Sequence, residues 1–410
     1  MMQSFFQGLE DRILTRMRES PEATSPHKIF GLELVRLGKR LSDADNQVAW
    51  CGVGAPFEII NALGVTSAFV EFISGMLAAT GMADSFLETA EHAGYSPDGC
   101  AYHRAVVGAA LKNFLPAPGF FIATTCTCIA GMALLENLAR MYKKDLFAIH
   151  IPYGRTVADV RYLADQIRGM TDFIVSHIHK PLDRNALRQA IIHSNQAREI
   201  LGDVMQMARQ VPSPANGREL GNLFISSVML LGTDSAVTIA KSYQTEFKRR
   251  IQQNISGVAG ERLRLLWIQN RIQFRNPLIK ILEEEYQTAV VIDELNNIYW
   301  DPIDPDNPYE GVARRILSVP FNGSVNYRID QLRKLAKEYR VHGAINPCHW
   351  GCRQGTGGRG LIERGLKEIG VPVLNLEVDA IDARHFAEGQ LRTRMGAFIE
   401  MLEGRPSPWN

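Results

Sequence analysis

One stretch of the sequence places two cysteines, a histidine and a glycine directly after an apolar run typical of a buried strand: Ala344-Ile345-Asn346-Pro347-Cys348-His349-Trp350-Gly351-Cys352-Arg353-Gln354. The apolar run covers residues 343–345, and both cysteines follow it. In an α/β protein the carboxyl ends of parallel strands meet at one edge of the sheet, so side chains placed just after strands lie close together. The stretch therefore predicts that its thiols belong to a site at such an edge.

The same order recurs elsewhere, because residues 120–123 and the shorter extended stretch 48–50 are also followed by cysteine. Every cysteine of the chain stands beside a turn rich in Gly, Pro or Thr: Cys51, Cys100, Cys126, Cys128, Cys348 and Cys352. A free cysteine is often only a small buried core residue. None of the six lies in a predicted helix interior, however, and we interpret them as thiols that converge on one metal cluster.

The spacings Cys-x-Cys and Cys-x-x-x-Cys match neither a zinc ribbon nor a ferredoxin run, so a closed structural zinc site fits poorly. Thiolates do suit an iron–sulfur cluster, because soft sulfur donors match iron. In a reducing cytosol, clustered cysteines are more often metal-binding or catalytic than disulfide-bonded. The cysteine pattern therefore favours an iron–sulfur protein.

The composition indicates a globular protein, with 410 residues, 46% hydrophobic residues and 22% charged residues. The net charge of +1 and the lack of a basic run with aromatic residues give no indication of nucleic-acid binding. No apolar run reaches the roughly 18–20 residues that span a membrane, and the amino terminus becomes acidic at Glu10 and Asp11, where a signal peptide needs an apolar core. We therefore expect a cytoplasmic protein with no membrane or nucleic-acid partner.

The order of predicted elements indicates an α/β fold with two similar halves. Two amphipathic helices separated by the breaker at residues 21–26 come first. The predicted domains are N-terminal helices at 1–45, a first α/β domain at 46–160, a helical layer at 161–258 and a second α/β domain at 259–410. The helical layer is expected to link the two sheets.

Two further features bear on chemistry. Residues 355–360 match G-x-G-x-x-G, the motif of dinucleotide-binding loops, and they follow a strand. Two cysteines and a tryptophan lie between the strand and the glycines, however, so we interpret these glycines as positions where the backbone can approach a ligand closely. His103 and His349 flank cysteines and are candidate proton carriers, although a structural role is the ordinary one for any single histidine.

Three segments resemble a known family: residues 91–102, 116–120 and 379–386, the last followed by Gln390, Thr393 and Arg394. They are similar to the paralogous subunits of 2-hydroxyacyl-CoA dehydratases and of ATP-dependent benzoyl-CoA reductases. The resemblance implies two doubly wound Rossmann- or flavodoxin-like domains with a 4Fe-4S cluster between them. It also implies that three cysteines hold the cluster and that the fourth iron stays open. On this chain those ligands fall on Cys100, Cys128 and Cys352.

Three cysteines then remain. Cys126 and Cys348 are extra candidate metal ligands, and Cys51 occupies a loop where the dehydratases carry Ser close to the cluster. Cys51 would either line an open site or supply the fourth ligand. A relative of the family, the double-cubane cluster protein, binds an 8Fe-9S double cubane through six cysteines, but its pattern places cysteines where this chain has Gln269-Asn270-Arg271 and Asn296-Asn297.

The function implied by the resemblance is low-potential one-electron chemistry on a CoA thioester, either 2-hydroxyacyl-CoA dehydration or aromatic acyl-CoA reduction. The implied partners are a paralogous second subunit, an ATP-dependent iron–sulfur activator and the acyl-CoA substrate. A separate activator fits the absence of a G-x-x-x-x-G-K-[ST] phosphate loop from the sequence. The rival functions are a non-catalytic electron-relay subunit and a zinc-dependent hydrolase.

Overall fold

The computed structural model describes residues 2–20, 25–43 and 47–409, and it confirms the predicted α/β fold class. Within these residues the strands form two four-stranded sheets in which all neighbouring strands are parallel. The first sheet contains β1 (Val48–Cys51), β2 (Thr66–Phe69), β3 (Phe120–Thr124) and β4 (Leu146–Ile149). The second contains β5 (Leu263–Trp267), β6 (Thr288–Asp293), β7 (Gly343–His349) and β8 (Val373–Val378).

Both sheets have the same strand order. The first runs β2-β1-β3-β4 and the second β6-β5-β7-β8, so in each the second strand lies outside the first and the third and fourth follow on the other side. In the first sheet the chain places β2 on one side of β1 and then returns to place β3 on the other side. The second sheet does the same, with β6 and β7 on opposite sides of β5. Open α/β sheets bind ligands at the carboxyl ends of the strands where the chain changes sides in this way. The topology therefore brings the loops after these four strands to candidate sites.

The strands are short apolar runs because both faces of each sheet are covered. Alternate residues of the first sheet enter different cores: Ala49 and Ile122 pack on one face, and Trp50 and Phe121 on the other. The rings of Trp50 and Phe121 meet edge to face with their centres 5.8 Å apart. Burial on both faces is the arrangement of a doubly wound sheet.

The helices lie before, between and around the sheets. The first group is α1 (Met2–Glu19), α2 (Pro26–Leu41), α3 (Phe57–Ala62), α4 (Val70–Ala79), α5 (Ala83–His92), α6 (Ala101–Leu111) and α7 (Ile129–Tyr142). The intervening layer is α8 (Val157–Ile178), α9 (Arg184–Met207), α10 (Gly217–Val228) and α11 (Asp234–Gln252). The last group is α12 (Leu278–Lys280) with a π-helical turn at Ile281–Glu285, α13 (Pro308–Leu317), α14 (Val325–Glu338), α15 (Arg353–Thr356), α16 (Arg359–Lys367) and α17 (Glu388–Glu403).

The helical layer contacts both sheets. Helix α9 packs on α3 of the first half, α8 packs on β4 and α13, and α10 packs on β6. Helix α2 packs on β2 and α11. The exact domain limits stay predictions, and the limit at residues 45 and 46, like residues 21–24 of the predicted breaker, lies outside the described residues. No helix in the described ranges has both the length and the apolar character needed to cross a membrane.

Two predicted boundaries were wrong. The strand predicted at residues 343–345 continues through Pro347 to His349, because β8 pairs with residues 344–349, and Cys348 therefore lies inside a strand. Cys51, predicted to stand in a loop after an extended stretch, is the last residue of β1. In both places the ladder of a neighbouring strand extends the pairing into residues that the sequence pattern assigns to a loop.

A buried ion pair joins the two halves through the helical layer. Glu58 of α3 has no solvent exposure, and its carboxylate accepts hydrogen bonds from Arg315 Nη2 of α13 at 2.8 Å and from Ser194 Oγ of α9 at 3.3 Å. Arg315 Nε also lies 2.7 Å from this carboxylate. A carboxylate buried to this extent depends on its cation, because removing one partner leaves an uncompensated charge. This contact therefore ties three separate parts of the chain together.

We expect Arg315→Met to lower the free energy of unfolding by about 3–5 kcal/mol, since it leaves Glu58 charged and buried. The double variant Glu58→Gln, Arg315→Met should be less destabilised than Arg315→Met alone. The control is Arg314→Met on the same helix, whose exposed pair with Glu310 should contribute less than about 1 kcal/mol. Urea unfolding measures all of them, and equal losses for Arg314→Met and Arg315→Met would contradict the role of the pair.

Candidate functional site

The three cysteines that the resemblance selects each stand directly before a helix. Cys100 is the N-cap residue of α6, Cys128 that of α7, and Cys352 that of the short helix α15. Cys352 Sγ accepts a hydrogen bond from Gly355 N–H at 3.2 Å. Free N–H groups and the positive end of the helix dipole stabilise a thiolate at this position. All three cysteines therefore stand where free backbone N–H groups can stabilise a metal-bound thiolate.

These thiols line one cavity of about 660 Å³ between the two sheets. Cys126, His103 and His349 line the same cavity. Cys100 comes from the loop before α6, Cys128 from the loop after β3, and Cys352 from the loop after β7. The site is thus built jointly by both halves of the chain.

The loop after β7 approaches the Cys100 loop so closely that only glycine fits. Gly351 has a φ of +71°, and a Cβ atom there would lie 2.6 Å from Cys100 N and 2.6 Å from the carbonyl carbon of Gly99. Side chains other than glycine are strained at such φ values, and the space is already filled by backbone. Gly351 therefore holds the Cys352 loop against the Cys100 loop.

Burial dominates the electrostatics of the thiols. It raises the pKa of Cys100, and the charge of Cys352 raises it further. Burial also raises the pKa of Cys352, while the Gly355 N–H and the Asn270 side chain act in the opposite direction. These thiols hold their protons unless a positive centre enters the cavity, and a metal centre is such a group.

His349 is fixed in one tautomer by its neighbours. Its Nδ1 accepts the Ala380 N–H at 3.0 Å, so the proton of the neutral ring is on Nε2, which lies 3.5 Å from Cys100 Sγ. Burial, followed by the charges of His103 and Arg104, lowers the pKa of His349 to about 3. The neutral ring therefore directs an N–H donor at the Cys100 sulfur.

His103 has a different environment. Its Nε2 lies 3.7 Å from Glu71 Oε1, and both residues line the cavity. Glu71 Oε2 is buried and has no hydrogen-bond partner among the described residues. Sequence reasoning missed Glu71, since no motif marks it, although its position just after β2 is the kind of place where site residues stand.

Asn270 was also missed as a site residue. It follows β5, and its Nδ2 is buried with no hydrogen-bond partner in the described part of the chain. Its side chain partly offsets the rise in the pKa of Cys352 that burial causes. Gly355 allows the backbone to pass close to these side chains, because a Cβ atom there would lie 2.8 Å from Asn270 Nδ2 and 3.5 Å from Cys352 Sγ.

The structure separates two cysteines from this group. Cys51 has no solvent exposure, its Sγ lies 3.9 Å from Ala49 O, and it packs in the core of the first sheet. Cys348 is 1% exposed, with Sγ 3.5 Å from Asn346 O and 3.6 Å from Asn375 Oδ1. Neither is among the described residues that line the cavity. Cys126 does line it, and burial raises the pKa of its thiol to about 12.

The cysteines are not arranged around a single ion. In the described ranges no three His, Cys, Asp or Glu side chains form a group that could hold one metal ion. A 4Fe-4S cubane needs a different arrangement, because each thiolate binds a separate iron atom at a corner of the larger group. A cavity with thiols on several walls, each near N–H donors, fits such a group.

Comparison with known proteins gives one family match over most of the chain. Residues 52–402 match the model of the 2-hydroxyglutaryl-CoA dehydratase D-component. The chain is 25% identical to the (R)-phenyllactyl-CoA dehydratase alpha subunit of Clostridium sporogenes, over 87% of this chain and 89% of that protein. It is 25% identical to a benzoyl-CoA reductase subunit of Thauera aromatica, over 86% of each chain. It is 22% identical to the lactoyl-CoA dehydratase alpha subunit of Anaerotignum propionicum, over 87% of this chain and 90% of that protein.

Gly351→Ala should separate the two cysteine loops. The control is Gly64→Ala, because Gly64 has a φ of +75° but no atom within 4 Å of the place that a Cβ would take, so it carries only the backbone strain of about 1–2 kcal/mol. We expect Gly351→Ala to lose at least about 1 kcal/mol more than this control, because of the added clash. Alkylation of Cys100 by iodoacetamide, located by peptide mass spectrometry, should become faster in Gly351→Ala only. Equal stability and equal alkylation in the two variants would contradict the inferred contact.

Proposed function

This chain belongs to the family of the 2-hydroxyglutaryl-CoA dehydratase D-component, and we propose that it is the iron–sulfur subunit of an enzyme that performs low-potential one-electron chemistry on a CoA thioester. The reaction is the dehydration of a 2-hydroxyacyl-CoA or the reduction of an aromatic acyl-CoA. One observation carries the proposal: Cys100, Cys128 and Cys352, each at a helix N-terminus, line one cavity between the two sheets.

The cofactor we propose is a single 4Fe-4S cluster bound by these three cysteines. Such a cluster supplies an electron at low potential and, where one iron lacks a protein thiolate, a Lewis acid for the oxygen of a substrate. Of the other candidate ligands, only Cys126 lines the cavity with them. The positions of Cys51 and Cys348 in the sheets support a single cubane over an 8Fe-9S double cubane.

The donors around the thiols have a defined task in this proposal. Gly355 N–H and the Asn270 side chain act on Cys352, and His349 Nε2–H points at Cys100. Hydrogen bonds to ligand sulfurs stabilise the more negative, reduced state of a cluster and so adjust its potential. In this proposal His349 therefore orients the Cys100 sulfur and does not carry a proton. Of the two histidines predicted as proton carriers, His103 is the better placed for proton transfer.

Proton transfer is assigned to the Glu71–His103 pair. The carboxylate lies 3.7 Å from His103 Nε2, and the two side chains together can accept and release a proton at the cavity wall. The pair stands on elements of the first half, whereas the Cys352 loop belongs to the second. The position of the Glu71–His103 pair at the cavity supports a catalytic role for this subunit.

The rival function, an electron-relay subunit, needs a fourth thiolate on the cluster, and Cys51 is the natural candidate. The burial of Cys51 in the core of the first sheet favours an open iron instead. The partners that we propose are a paralogous subunit, in line with the word "subunit" in the names of the relatives, and an ATP-dependent iron–sulfur activator. A reducing cytoplasm would keep the thiols available for the cluster.

Replacement of the cysteines by alanine tests the cofactor. Cys100→Ala, Cys128→Ala and Cys352→Ala should each lose the cluster, because three thiolates are the fewest that hold a cubane with one open corner. Cys126→Ala and Cys348→Ala, the controls, should keep about four iron atoms per chain. Iron analysis and the visible spectrum of anaerobically purified protein measure this. About eight iron atoms per chain with equal loss in all five variants would instead favour the double cubane.

The open iron is tested by adding an acyl-CoA to the reduced protein. If the iron is open, the electron paramagnetic resonance signal should change with substrate, and Cys51→Ser should keep both the iron and this response. In a relay subunit the wild-type signal would not respond, and Cys51→Ser would make the cluster labile. The latter pair of results would rule out a catalytic role for this subunit.

A further inference from the structure

Several hydrogen-bond donors of the cavity lining are buried and have no partner in the described part of the chain. They include the indole N–H groups of Trp267 and Trp300, Asn270 Nδ2 and Arg271 Nη2. These residues end or follow strands β5 and β6, so the donors belong to the wall that the second sheet contributes. A buried donor without an acceptor has lost its hydration uncompensated, and such groups mark places where a ligand or water binds.

Arg271 is the charged member of this set, and its guanidinium is held on two sides. Its Nε lies 2.7 Å from Oδ2 of Asp293, which has no solvent exposure, and its Nη1 donates a hydrogen bond to Gly217 O of α10 at 2.7 Å. The third nitrogen, Nη2, is buried and unpaired. Arg271 therefore keeps one free donor in a fixed orientation at the cavity.

Helix α10 is shaped around this guanidinium. A Cβ atom at Gly221 would lie 3.0 Å from Arg271 Nη1 and 3.3 Å from Arg271 Cζ, and Gly217 stands one turn earlier on the same face. The Gly217 N–H donates to Glu283 Oε1 at 2.6 Å, and burial raises the pKa of Glu283 to about 7. Glu283 is thus engaged with the backbone of α10 and leaves Arg271 Nη2 free.

Trp267 belongs to the same part of the wall. It pairs with Asp293 across β5 and β6, and residues in register on neighbouring strands project to the same face of a sheet. Asp293 in turn holds Arg271. The unpaired indole N–H and the unpaired guanidinium N–H therefore come from one face of the second sheet, at the carboxyl ends of two neighbouring strands.

Asn270 relates this group of donors to the thiols. It precedes Arg271 in the chain, and its side chain lies beside Gly355 and acts on Cys352. The wall therefore runs from Cys352 past Asn270 to Arg271 and helix α10. A ligand whose reacting end lies at the thiols would bring its other end towards Arg271.

The charges of the lining favour an anion at this place. Arg218 and Arg275 line the cavity, are exposed and form no ion pair among the described residues. The carboxyls of the lining, Glu71 and Glu294, each lie against a basic side chain. The lining as a whole is therefore positive, even though Arg271 already has a carboxylate partner.

Resting on the proposed function, we propose that Arg271, supported by Trp267, binds a carboxylate at the far end of the acyl group, so that the substrate is the thioester of a dicarboxylic acid. A guanidinium binds a carboxylate through charge-assisted hydrogen bonds, and an indole N–H can donate one more. Arg271 is thus a residue that determines substrate specificity.

The carboxylate is tested by calorimetric titration of the cluster-loaded chain with thioesters that lack a 2-hydroxyl group. Glutaryl-CoA is compared with pentanoyl-CoA, and adipoyl-CoA with hexanoyl-CoA, since each pair has equal chain length and differs at the terminal group. In at least one pair the carboxylate should bind at least about tenfold more tightly, because the neutral thioester leaves Nη2 without a partner. A smaller or absent preference in both pairs would overturn the proposal.

The double variant Arg271→Met, Asp293→Asn removes the guanidinium without leaving a buried charge unpaired. It should bind the preferred dicarboxylic thioester at least about tenfold more weakly, because charge-assisted bonds are lost. Acetyl-CoA, which has no carboxylate on its acyl group, should bind as in the wild type. An equal loss for acetyl-CoA would show that Arg271 holds part of CoA itself and would overturn the assignment.

Trp267→Phe is a milder change, which keeps an aromatic ring and removes the N–H. Its affinity for the dicarboxylic thioester should fall about threefold to tenfold, while that for the neutral counterpart stays unchanged. The matched control is Trp50→Phe, a buried tryptophan of the first sheet that is not among the described residues lining the cavity. If both variants bind the dicarboxylic thioester equally well, Trp267 does not support the carboxylate.

These outcomes separate the inference from the proposed function. Cluster and thioester binding without a preference for the carboxylate would overturn the role of Arg271 and leave the proposed function standing. Wild-type protein that binds neither iron nor any thioester would overturn both.

Discussion

The whole site depends on one close contact, in which the backbone at Gly351 lies against the peptide between Gly99 and Cys100. This contact brings the loop after β7 of the second sheet close to the loop before α6 of the first half, so that loops from both halves line one cavity. Ion pairs hold the same junction from the other side: Arg104 contacts Glu91 and lies 3.6 Å from Asp382, and Arg384 joins both carboxylates. Two of the segments that carry the family resemblance, residues 91–102 and 379–386, are therefore the two sides of this junction.

Burial explains why the cavity has the chemistry it has. Arg271 and Arg315 of its lining are paired with buried carboxylates, and desolvation raises the pKa values of Cys100 and Cys352. The lining offers a ligand sulfur, a carboxylate–imidazole pair and apolar surface. At the thiols, the helix N-termini and N–H donors can stabilise negative sulfur.

The sequence predicted β1, β3, β5 and β6 because these strands are short runs buried on both faces. It did not predict β2 at Thr66–Phe69. From the residues alone all six cysteines were candidates, and the choice of Cys100, Cys128 and Cys352 rests on the family resemblance and stays a prediction. The sequence also did not predict that β7 extends over Asn346-Pro347-Cys348, since pairing with β8 overrides a polar, proline-containing run. Nor could it show that Cys51 faces the core, because the face on which a side chain lies depends on where the strand ends. Glu71 and Asn270 carry no motif, and only the folded chain places them beside His103 and Cys352.

The division of the thiols between the halves has a consequence for biogenesis. Cys100 and Cys128 are synthesised long before Cys352, and the three meet only when the loop carrying Gly351 reaches its place. A group held by all three thiols would therefore find its complete set of ligands only after the two halves have docked. Binding of such a group would thus report on completed folding, because a chain with misdocked halves would lack one of the three thiols.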